Sequence, residues 1–434
     1  MPTKVAYTTF GCRLNQYDTE AIRTLLDDSG RYETVDASSD ADVLVVNTCS
    51  VTARADATSR KAIRRLHQAH PDAQIVVTGC YAQRAPEEIA ELPGVSVILG
   101  AADRARVVQE LEAAKRGLRV SVSPIEDAKS FLEVPITEMM ERRRAFVKVQ
   151  EGCNESCSFC IVPQTRGASR SREPENVLAQ ARSLIDAGYP ELVLTGVHLG
   201  DYGLDLTNRR MLTSLITSLI ELPGLQRFRL SSIEPASITP ELIDLMASEP
   251  KIARHFHIPF QSGSNRILER MRRRYSAEYF RELVETIASK VPECGIGVDV
   301  ICGFPGETDE DFQATFDMLT GLPITYVHPF TYSVRPGSEA ASFGDQIDGD
   351  TKKRRTRSLK RLSRDKAAMA RSQAQGQIHH ALLEQGPKDG VCVGWTGNYL
   401  KVKVAGLNRL PSDIVRVRID GDDNDVLVGV VEAP

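Results

Sequence analysis

The chain has 434 residues, of which 41% are hydrophobic and 26% are charged. These values are typical of folded, core-forming proteins and exclude a largely disordered chain, and the length suggests about three domains. The 54 lysine and arginine residues stand against 58 aspartate and glutamate residues, a net charge of −4, so contact with nucleic acid would need local basic patches. We find neither a secretory signal nor an apolar run long enough to cross a membrane. We therefore expect a soluble, cytoplasmic protein without membrane contact.

The N-terminal part of the chain alternates apolar strands with amphipathic helices and is predicted to form a domain over residues 1–118. The strand KVAYTTF leads to Cys12, DVLVVNT to Cys49 and QIVVTG to Cys80, and VSVILG is a fourth strand. This alternation predicts a parallel sheet with helices on both faces, whose strands end at one common edge. The three cysteines should meet at that edge. Taken alone, they are explained equally well as buried thiols or as metal ligands.

The rest of the chain predicts a linker and two further domains. Residues 119–140 have weak periodicity and contain two prolines, which is typical of a linker. Over residues 141–372, six strand–helix units begin at AFVKVQEGC, ELVLTG, RFRLSSI, HFHIPF, GIGVDVICGFPGE and TYVHPFTYS. They predict a partial (β/α)6 barrel with catalysis at the carboxyl ends of its strands. Short strands separated by turns predict a small antiparallel β-barrel over residues 373–434, so the fold class is α/β.

The most specific motif is Cys153-Asn-Glu-Ser-Cys157-Ser-Phe-Cys160, a C-x3-C-x2-C run directly after a predicted strand. Thiolates this close together select zinc or an iron–sulfur cluster. A structural zinc site would need a fourth ligand at a matching spacing. We therefore favour a cluster that is held by three cysteines and keeps one iron open.

This motif at the first strand end of a partial barrel resembles the radical S-adenosylmethionine superfamily, in which the open iron binds the amino and carboxylate groups of S-adenosylmethionine. The chain is further similar, almost from end to end, to the methylthiotransferase branch, whose C-terminal barrel is of the TRAM type. The matching blocks are GCRLNQYDTE, VVNTCSVTARADATSRKAIRR, VTGCYAQ, VKVQEGCNESCSFCIVPQTRGASRSR, RLSSIEP, HIPFQSGSNRIL, VDVICGFPGET and YSVRPGS.

The resemblance implies two 4Fe–4S clusters, S-adenosylmethionine and an unidentified low-potential electron donor. Cys153, Cys157 and Cys160 would be the catalytic set, holding the cluster that cleaves S-adenosylmethionine. A second cluster would be held by Cys12, Cys49 and Cys80. The residues expected to face S-adenosylmethionine are Phe159, Thr195, Gly196, Ser232, Glu234, Gln261, Ser262 and Gly306. A tight turn, a helix N-cap or a core position is the ordinary alternative for several of them.

Two acceptor classes share this chemistry in the family: adenosine 37 of tRNA, and an aspartate of a ribosomal protein. The segments GCRLNQYDTE, VTARADATSRKAIRR and GCYAQ resemble the tRNA branch that acts on N6-threonylcarbamoyladenosine. We predict transfer of a methylthio group to C2 of that nucleoside in the anticodon loop. Isopentenyladenosine and the ribosomal aspartate stay open as acceptors. A non-catalytic metal-binding RNA module is the alternative from another class, although it would have no use for the cofactor-facing blocks.

Positive charge for RNA binding is concentrated in residues 352–371, where ten lysines and arginines stand against the single acidic residue Asp365. This density predicts a phosphate-binding surface. The residues expected to contact substrate are Arg166, Arg335, Lys353, Arg354 and Arg355. The C-terminal barrel is acidic overall and its only aromatic residues are Trp395 and Tyr399, so its contact with RNA rests on resemblance. We expect the protein to be a monomer.

Overall fold

A computed structural model describes residues 1–36, 39–140, 143–207 and 211–432 of the chain. Three bodies follow one another: a parallel sheet with helices on both faces, an open α/β barrel and a small closed β-barrel. This arrangement confirms the α/β fold class expected from the sequence. Among the described residues, no helix is long and apolar enough to cross a membrane.

The N-terminal sheet is built from six parallel strands. They are β1 (Thr3–Thr9), β2 (Tyr32–Thr34), β3 (Val43–Thr48), β4 (Gln74–Gly79), β5 (Val95–Leu99) and β6 (Arg119–Ser121). The helices of this part are α1 (Arg13–Asp28), α2 (Ala53–Ala69), α3 (Cys80–Arg84), α4 (Pro86–Ala90) and α5 (Val107–Ala113). In space the strands follow the order β2-β1-β3-β4-β5-β6. Strand β3 is buried along its whole length because separate hydrophobic cores cover the two faces of the sheet.

The segment predicted as a linker differs from that expectation. Its first residues form β6, which pairs in parallel with β5 and extends the sheet beyond residue 118. The sequence did not indicate this strand because it has only three residues, two of them exposed. Further along, Val134, Ile136 and Met139 are buried in the core of the central domain. The segment therefore packs between the first two domains instead of connecting them loosely.

The central domain is an open barrel of parallel strands surrounded by helices. Its strands are β7 (Arg144–Lys148), β8 (Gln150–Glu151), β9 (Arg170–Ser171), β10 (Glu191–Thr195), β11 (Arg227–Leu230), β12 (His255–Gln261), β13 (Gly295–Cys302) and β14 (Tyr326–Thr331). Its helices are α6 (Val162–Arg166), α7 (Pro174–Asp186), α8 (Leu212–Ile220), α9 (Pro240–Ser248), α10 (Asn265–Arg270), α11 (Ala277–Lys290), α12 (Asp309–Gly321) and α13 (Gly349–Ala374).

The barrel consists of two three-stranded parallel sheets, β7-β10-β11 and β12-β13-β14. Two single bridges, Phe228 to Ile252 and Ser232 to His257, join the sheets. The short strands β8 and β9 form a separate antiparallel pair. Six parallel strands thus form the predicted partial barrel, with β7 and β14 at its two edges.

Side chains alternate between two faces along β12, β13 and β14. On the outer face, Ile258, Val298 and Val327 belong to the hydrophobic core under the helices. On the inner face, His257 and Asp299 are neighbours across β12 and β13. The interior of the barrel is therefore polar at this level.

The C-terminal barrel has five strands and is closed. They are β15 (Ile378–Lys388), β16 (Val391–Thr396), β17 (Lys401–Ala405), β18 (Val415–Asp423) and β19 (Val426–Val431). Around the barrel they follow the order β15-β16-β17-β19-β18. Strands β17 and β19 are parallel and the other pairs are antiparallel. One parallel pair is unavoidable because strand directions cannot alternate around a closed ring with an odd number of members.

A buried carboxylate docks the C-terminal barrel onto the central domain. Glu191, on β10, forms salt bridges with Arg144, Arg227 and Arg229. Arg227 and Arg229 also donate hydrogen bonds to main-chain carbonyl oxygens of the C-terminal barrel, and Arg144 binds Glu384 of β15. Burial alone would raise the pKa of Glu191, but the three guanidinium groups hold it far below its ordinary value.

The two aromatic side chains of the C-terminal barrel face this junction. The rings of Trp395 and Tyr399 stack with centroids 4.6 Å apart, and the ring of Tyr399 stacks at 4.6 Å on His255 of the central barrel. Arg229 lies 5.2 Å from the centroid of the Tyr399 ring. These aromatic groups therefore contribute to domain docking, which leaves less of their surface for RNA.

Replacing Glu191 with Gln should destabilise the fold, because the buried Arg227 and Arg229 would lose their carboxylate partner and Arg144 one of its two. We expect a loss of about 3–5 kcal/mol, measured as a lower thermal midpoint of the purified protein. The exposed Glu221 at the end of α8 provides the control, since Glu221→Gln should change stability by less than about 0.5 kcal/mol. Equal midpoints for the two variants would contradict the role given to Glu191.

Candidate active site

The C-x3-C-x2-C residues lie in the loop between β8 and α6, and all three side chains are partly buried. Cys153 and Cys160 each accept a hydrogen bond from the main-chain N–H two residues further on, with N–Sγ distances of 3.4 Å. Cys157 accepts a hydrogen bond from the guanidinium group of Arg273 at 3.3 Å. Every sulfur of the loop thus has one N–H donor, as a thiolate ligand requires.

The donor set fits an iron–sulfur cluster. Burial, together with the neighbouring thiols, raises the pKa of Cys153 to about 12 and that of Cys160 to about 11. Such thiols lose their protons at neutral pH only when a metal takes the proton's place. Hydrogen bonds to the sulfurs and burial are also the features that tune the potential of a protein-bound cluster. The loop can therefore hold a three-cysteine cluster.

The structure brings the second cysteine trio together at the predicted edge of the N-terminal sheet. Cys12 is the N-cap of α1 after β1, Cys49 follows β3 and Cys80 begins α3 after β4. These three strands are adjacent in the sheet. Burial and the two neighbouring cysteines raise the pKa of Cys49 to about 12. The trio fits a metal centre by the same argument as the first.

Two glycines allow this close approach. Gly11 has a φ of +111°, and a Cβ atom there would lie 2.9 Å from the Cβ atom of Cys49. Gly79 has a φ of +96°, and a Cβ atom there would lie 2.3 Å from the main-chain oxygen of Thr48. A side chain at either position would push the cysteine loops apart.

Arg166 connects the two cysteine trios. It ends α6, the helix that follows Cys160, and its guanidinium group reaches into the N-terminal domain. There it donates to Asn15 Oδ1 at 2.8 Å and to Asp18 Oδ2 at 3.0 Å, and its positive charge opposes the rise that burial causes in the pKa of Cys80. Burial alone would lower the pKa of Arg166, but the thiols and carboxylates around it raise it well above its ordinary value.

Further buried charges complete this contact. Asp18 of the N-terminal domain and Glu151 of the central domain both bind Arg104 and Lys148, and Glu151 also accepts a hydrogen bond from Arg166 at 2.7 Å. All five side chains are at most 4% exposed. We call these five residues the interdomain charge cluster.

Three of the arginines expected to contact substrate are instead buried in ion pairs. Arg166 belongs to the interdomain charge cluster, and Arg335 binds Asp56 of the N-terminal domain at 2.6 Å. Arg355 binds Glu307 at 2.6 Å. A buried guanidinium group whose hydrogen bonds go to protein carboxylates does not neutralise an RNA phosphate at the surface, so these three arginines form no part of a surface that binds phosphate.

The remaining predicted substrate residues lie on the outer face of α13. Lys353 and Arg354 are exposed and contact the exposed acids Asp350 and Asp309, and such surface pairs contribute little stability. The other exposed basic residues of this face are Arg357, Lys360, Arg361 and Arg364. The inner face of the same helix packs Leu359 and Leu362 into the core. A basic surface open to RNA thus persists on one side of α13.

The residues expected to face S-adenosylmethionine lie in the cysteine loop or at carboxyl ends of barrel strands. Thr195 ends β10 and Gly196 follows it, Ser232 and Glu234 follow β11, Gln261 ends β12 and Ser262 follows it, Gly306 follows β13, and Phe159 stands between Cys157 and Cys160. Phe159 also packs against a small core cluster, and the Ser262 hydroxyl lies in the N-terminal turn of α10, beside Thr315. For these two residues a structural role is visible.

Gln261 and Glu234 have the most distinctive surroundings of this set. Gln261 has a φ of +65° next to a bulge in β12, a backbone conformation that is uncommon for residues other than glycine and that concentrates at functional sites. Glu234 forms a salt bridge with Arg273, the arginine that also donates to Cys157. The carboxylate is thereby coupled to the cysteine loop. Sequence reasoning gave Arg273 no such role, and its only signal was the basic run around it.

Comparisons with known proteins agree with this geometry. Residues 4–100 match the uncharacterized protein family UPF0004, and residues 147–319 match the radical SAM superfamily. The threonylcarbamoyladenosine tRNA methylthiotransferase MtaB of Bacillus subtilis (strain 168) is 41% identical, over 96% of this chain and 93% of its own. The protein of the same name from Aquifex aeolicus (strain VF5) is 40% identical, over 96% of this chain and 100% of its own. The chain belongs to the radical S-adenosylmethionine methylthiotransferase family.

A solved structure shares the fold of this methylthiotransferase. The radical S-adenosylmethionine methyltransferase TsrM from Kitasatospora setae, solved with cobalamin and a [4Fe-4S] cluster bound, superposes with a TM-score of 0.56 at 19% identity. The match covers 76% of this chain and 75% of that chain. As a radical S-adenosylmethionine enzyme, the methylthiotransferase uses S-adenosylmethionine and a 4Fe–4S cluster and transfers a sulfur-containing group.

If Cys153, Cys157 and Cys160 hold the cluster as expected, replacing Arg273 with Gln should lower its reduction potential. In the wild type, the positive charge of Arg273 and its hydrogen bond to Cys157 stabilise the reduced cluster, which is the more negative form. The substitution removes both. A charged hydrogen bond is worth about 1.5–3 kcal/mol, so the shift should be at most about 130 mV for one electron. It can be measured by redox titration followed by electron paramagnetic resonance.

Arg274 is a matched control for this experiment, because its side chain is 73% exposed and pairs with Glu155 at the surface. Arg274→Gln should leave the potential near that of the wild type. A potential that is unchanged in Arg273→Gln, or equally shifted in both variants, would contradict the role given to Arg273.

Proposed function

We propose that this enzyme transfers a methylthio group to C2 of N6-threonylcarbamoyladenosine at position 37 of tRNA, using two 4Fe–4S clusters and S-adenosylmethionine. The observation that carries this proposal is the pair of cysteine trios connected through Arg166. A methylthiotransferase needs both a radical source and a sulfur donor near the same acceptor atom. The threonylcarbamoyl acceptor is supported by the names of two relatives that are 41% and 40% identical over 96% of the chain, whereas a relative named for dimethylallyladenosine is 32% identical over the same share.

In this proposal Cys153, Cys157 and Cys160 hold the cluster that binds S-adenosylmethionine, and Cys12, Cys49 and Cys80 hold the second one. The clusters and S-adenosylmethionine supply the one-electron chemistry and the sulfur transfer that no side chain can perform. The protein supplies the ligands, excludes water and fixes the separation of the two sites. Arg273 and Arg166 add positive charge beside Cys157 and Cys80, where charge compensation favours anionic sulfur.

One residue of the cysteine loop and seven residues at strand ends complete the proposed cofactor site. They are Phe159, Thr195, Gly196, Ser232, Glu234, Gln261, Ser262 and Gly306. On the RNA side we propose that the exposed basic face of α13, including Lys353 and Arg354, neutralises phosphates of the tRNA. The enzyme would act as a monomer in the cytoplasm and receive electrons from a separate low-potential donor.

The cluster count is tested by metal analysis of anaerobically reconstituted protein. Two 4Fe–4S clusters predict about eight iron and eight sulfide per chain. The triple variant Cys12→Ala, Cys49→Ala, Cys80→Ala should keep about half of the iron and still cleave S-adenosylmethionine reductively. The triple variant Cys153→Ala, Cys157→Ala, Cys160→Ala should also keep about half but lose that cleavage. Wild-type protein with zinc and no sulfide would contradict the proposal and favour a non-catalytic RNA-binding module.

The acceptor is tested by nucleoside analysis of tRNA from cells that lack this gene. The methylthio derivative of threonylcarbamoyladenosine should disappear while unmodified threonylcarbamoyladenosine accumulates. Wild-type protein should restore the derivative, and Cys153→Ala, the matched control, should not. If the derivative persists and methylthio-isopentenyladenosine is lost instead, the acceptor assignment is wrong.

A further inference from the structure

A polar group that none of the roles above uses lies on the inner face of the barrel. Asp299 Oδ1 is 2.9 Å from His257 Nε2 and 3.6 Å from His328 Nδ1, on the neighbouring strands β12 and β14. The side chains of His257, Asp299 and His328 are 14%, 22% and 55% exposed, respectively. We call these three residues the inner triad. All three side chains are partly exposed to solvent, so a molecule inside the barrel could contact them.

The Asp299 side chain has a low pKa, and only part of its capacity to accept hydrogen bonds is used. Burial would raise the pKa of Asp299, but the neighbouring imidazoles of His257 and His328 lower it to about 2. Both imidazole contacts are to Oδ1. A carboxylate can accept about four hydrogen bonds, and in the part of the chain that the structure describes, Oδ2 has no partner. The carboxylate can therefore accept further N–H or O–H donors from a bound molecule.

The inner triad is held in position by aromatic residues from two domains. The Tyr326 hydroxyl lies 3.1 Å from His257 Nδ1 and 2.8 Å from His255 Nε2. Tyr399 of the C-terminal barrel stacks on His255. These rings close one end of the barrel interior and fix the orientation of His257, which is how a binding group is preorganised.

An arginine from the N-terminal domain lies beside these aromatic rings. Arg13 directly follows Cys12, and its guanidinium group contacts the Tyr399 hydroxyl at 3.5 Å. Within the described residues, Arg13 forms no salt bridge with a carboxylate. It acts electrostatically on both His255 and Tyr326. A partly buried arginine without an acidic partner, next to an iron–sulfur ligand, is an available site for an anionic group.

We propose that the inner triad and Arg13 recognise the N6 substituent of the acceptor nucleoside, which makes them specificity-determining residues of the reaction. The proposal rests on the proposed function. A threonylcarbamoyl group carries ureido N–H donors, a hydroxyl group and a carboxylate. Asp299 accepts hydrogen bonds from the N–H or O–H donors, His328 presents a further polar atom, and Arg13 binds the carboxylate.

The same chemistry excludes an apolar substituent. An isopentenyl group would cover the Asp299 carboxylate and the imidazoles without offering them hydrogen bonds. Sites that are built to hydrogen-bond a ligand strongly reject analogues that lack the matching groups, because the polar groups of the site are then buried without partners. The inner triad thus favours a polar, anionic substituent over an isopentenyl group of similar size.

The test measures binding of three anticodon stem-loop RNAs to the full-length reconstituted protein in the presence of S-adenosylmethionine. The RNAs carry threonylcarbamoyladenosine, adenosine or isopentenyladenosine at position 37. Wild type should bind the threonylcarbamoyl RNA roughly ten- to hundredfold more tightly than the adenosine RNA. Arg13→Gln and Asp299→Asn should abolish this preference and leave the affinity for the adenosine RNA unchanged. His328→Phe should shift the preference towards the isopentenyl RNA.

Lys360, exposed on α13, provides the control. Lys360→Gln should weaken the binding of all three RNAs by the same factor, because it removes one phosphate contact. Because His328 is mostly exposed, His328→Phe keeps the proposal testable if Asp299→Asn fails to fold. Two histidines and a carboxylate could also bind a divalent metal ion. Metal analysis of the same preparations tests this alternative. A divalent metal that is present in wild type and lost in Asp299→Asn, with the RNA preference intact, would overturn the proposal.

Failure of this inference can be separated from failure of the proposed function. If tRNA from the deletion strain keeps its methylthio-threonylcarbamoyladenosine, the proposed function is wrong. If the strain loses that nucleoside but the variants of Arg13, Asp299 and His328 retain the wild-type preference among the three RNAs, the function stands and the inference is wrong.

Discussion

The interdomain charge cluster is the constraint on which the relative placement of the two cysteine trios depends. Asp18 comes from the helix that Cys12 caps, whereas Glu151 and Arg166 flank the loop of Cys153, Cys157 and Cys160. Buried ions lose their hydration on folding, so such a cluster is stable only with near-ideal geometry and complete pairing. The pairing crosses the domain boundary, because Asp18 has its lysine and one of its arginine partners on the other domain.

The charge balance of this cluster fits the chemistry beside it. The two carboxylates face three cationic side chains, Arg104, Lys148 and Arg166, and Arg170 lies 4.0 Å from Glu151, so positive charge is in excess. Arg166 places that charge against the thiol of Cys80. A deprotonated sulfur at this position would supply the missing negative charge. Assembly of the interface and ionisation of the thiol therefore favour each other, which is the coupling between folding and metal binding that a protein-held cluster requires.

Much of the fold could be predicted from the sequence, because strand–helix alternation and the meeting of parallel strand ends at one edge are local rules. These rules brought Cys12, Cys49 and Cys80 together correctly. They did not indicate β6, whose three mostly exposed residues form no apolar run. The site was less predictable, since its charges are paired over long separations: Arg166 binds a carboxylate 148 positions away in the chain. A sequence does not show whether an arginine will face a phosphate or a buried acid.

The helix α13 shows how part of that ambiguity can be resolved. Its basic density suggested one continuous RNA surface, yet Arg355 and Arg371 are buried and paired with acids. The leucines of the same face pack into the hydrophobic core. Thr356, Leu359 and Leu362 recur at the spacing of one helical face, and that spacing already separates the inner residues from the outer ones. Charge counted along the chain overestimates a binding surface, whereas charge counted on one helical face retains only the side chains that reach solvent. A chain with a net charge of −4 can thus offer RNA a basic face while much of its arginine holds domains together.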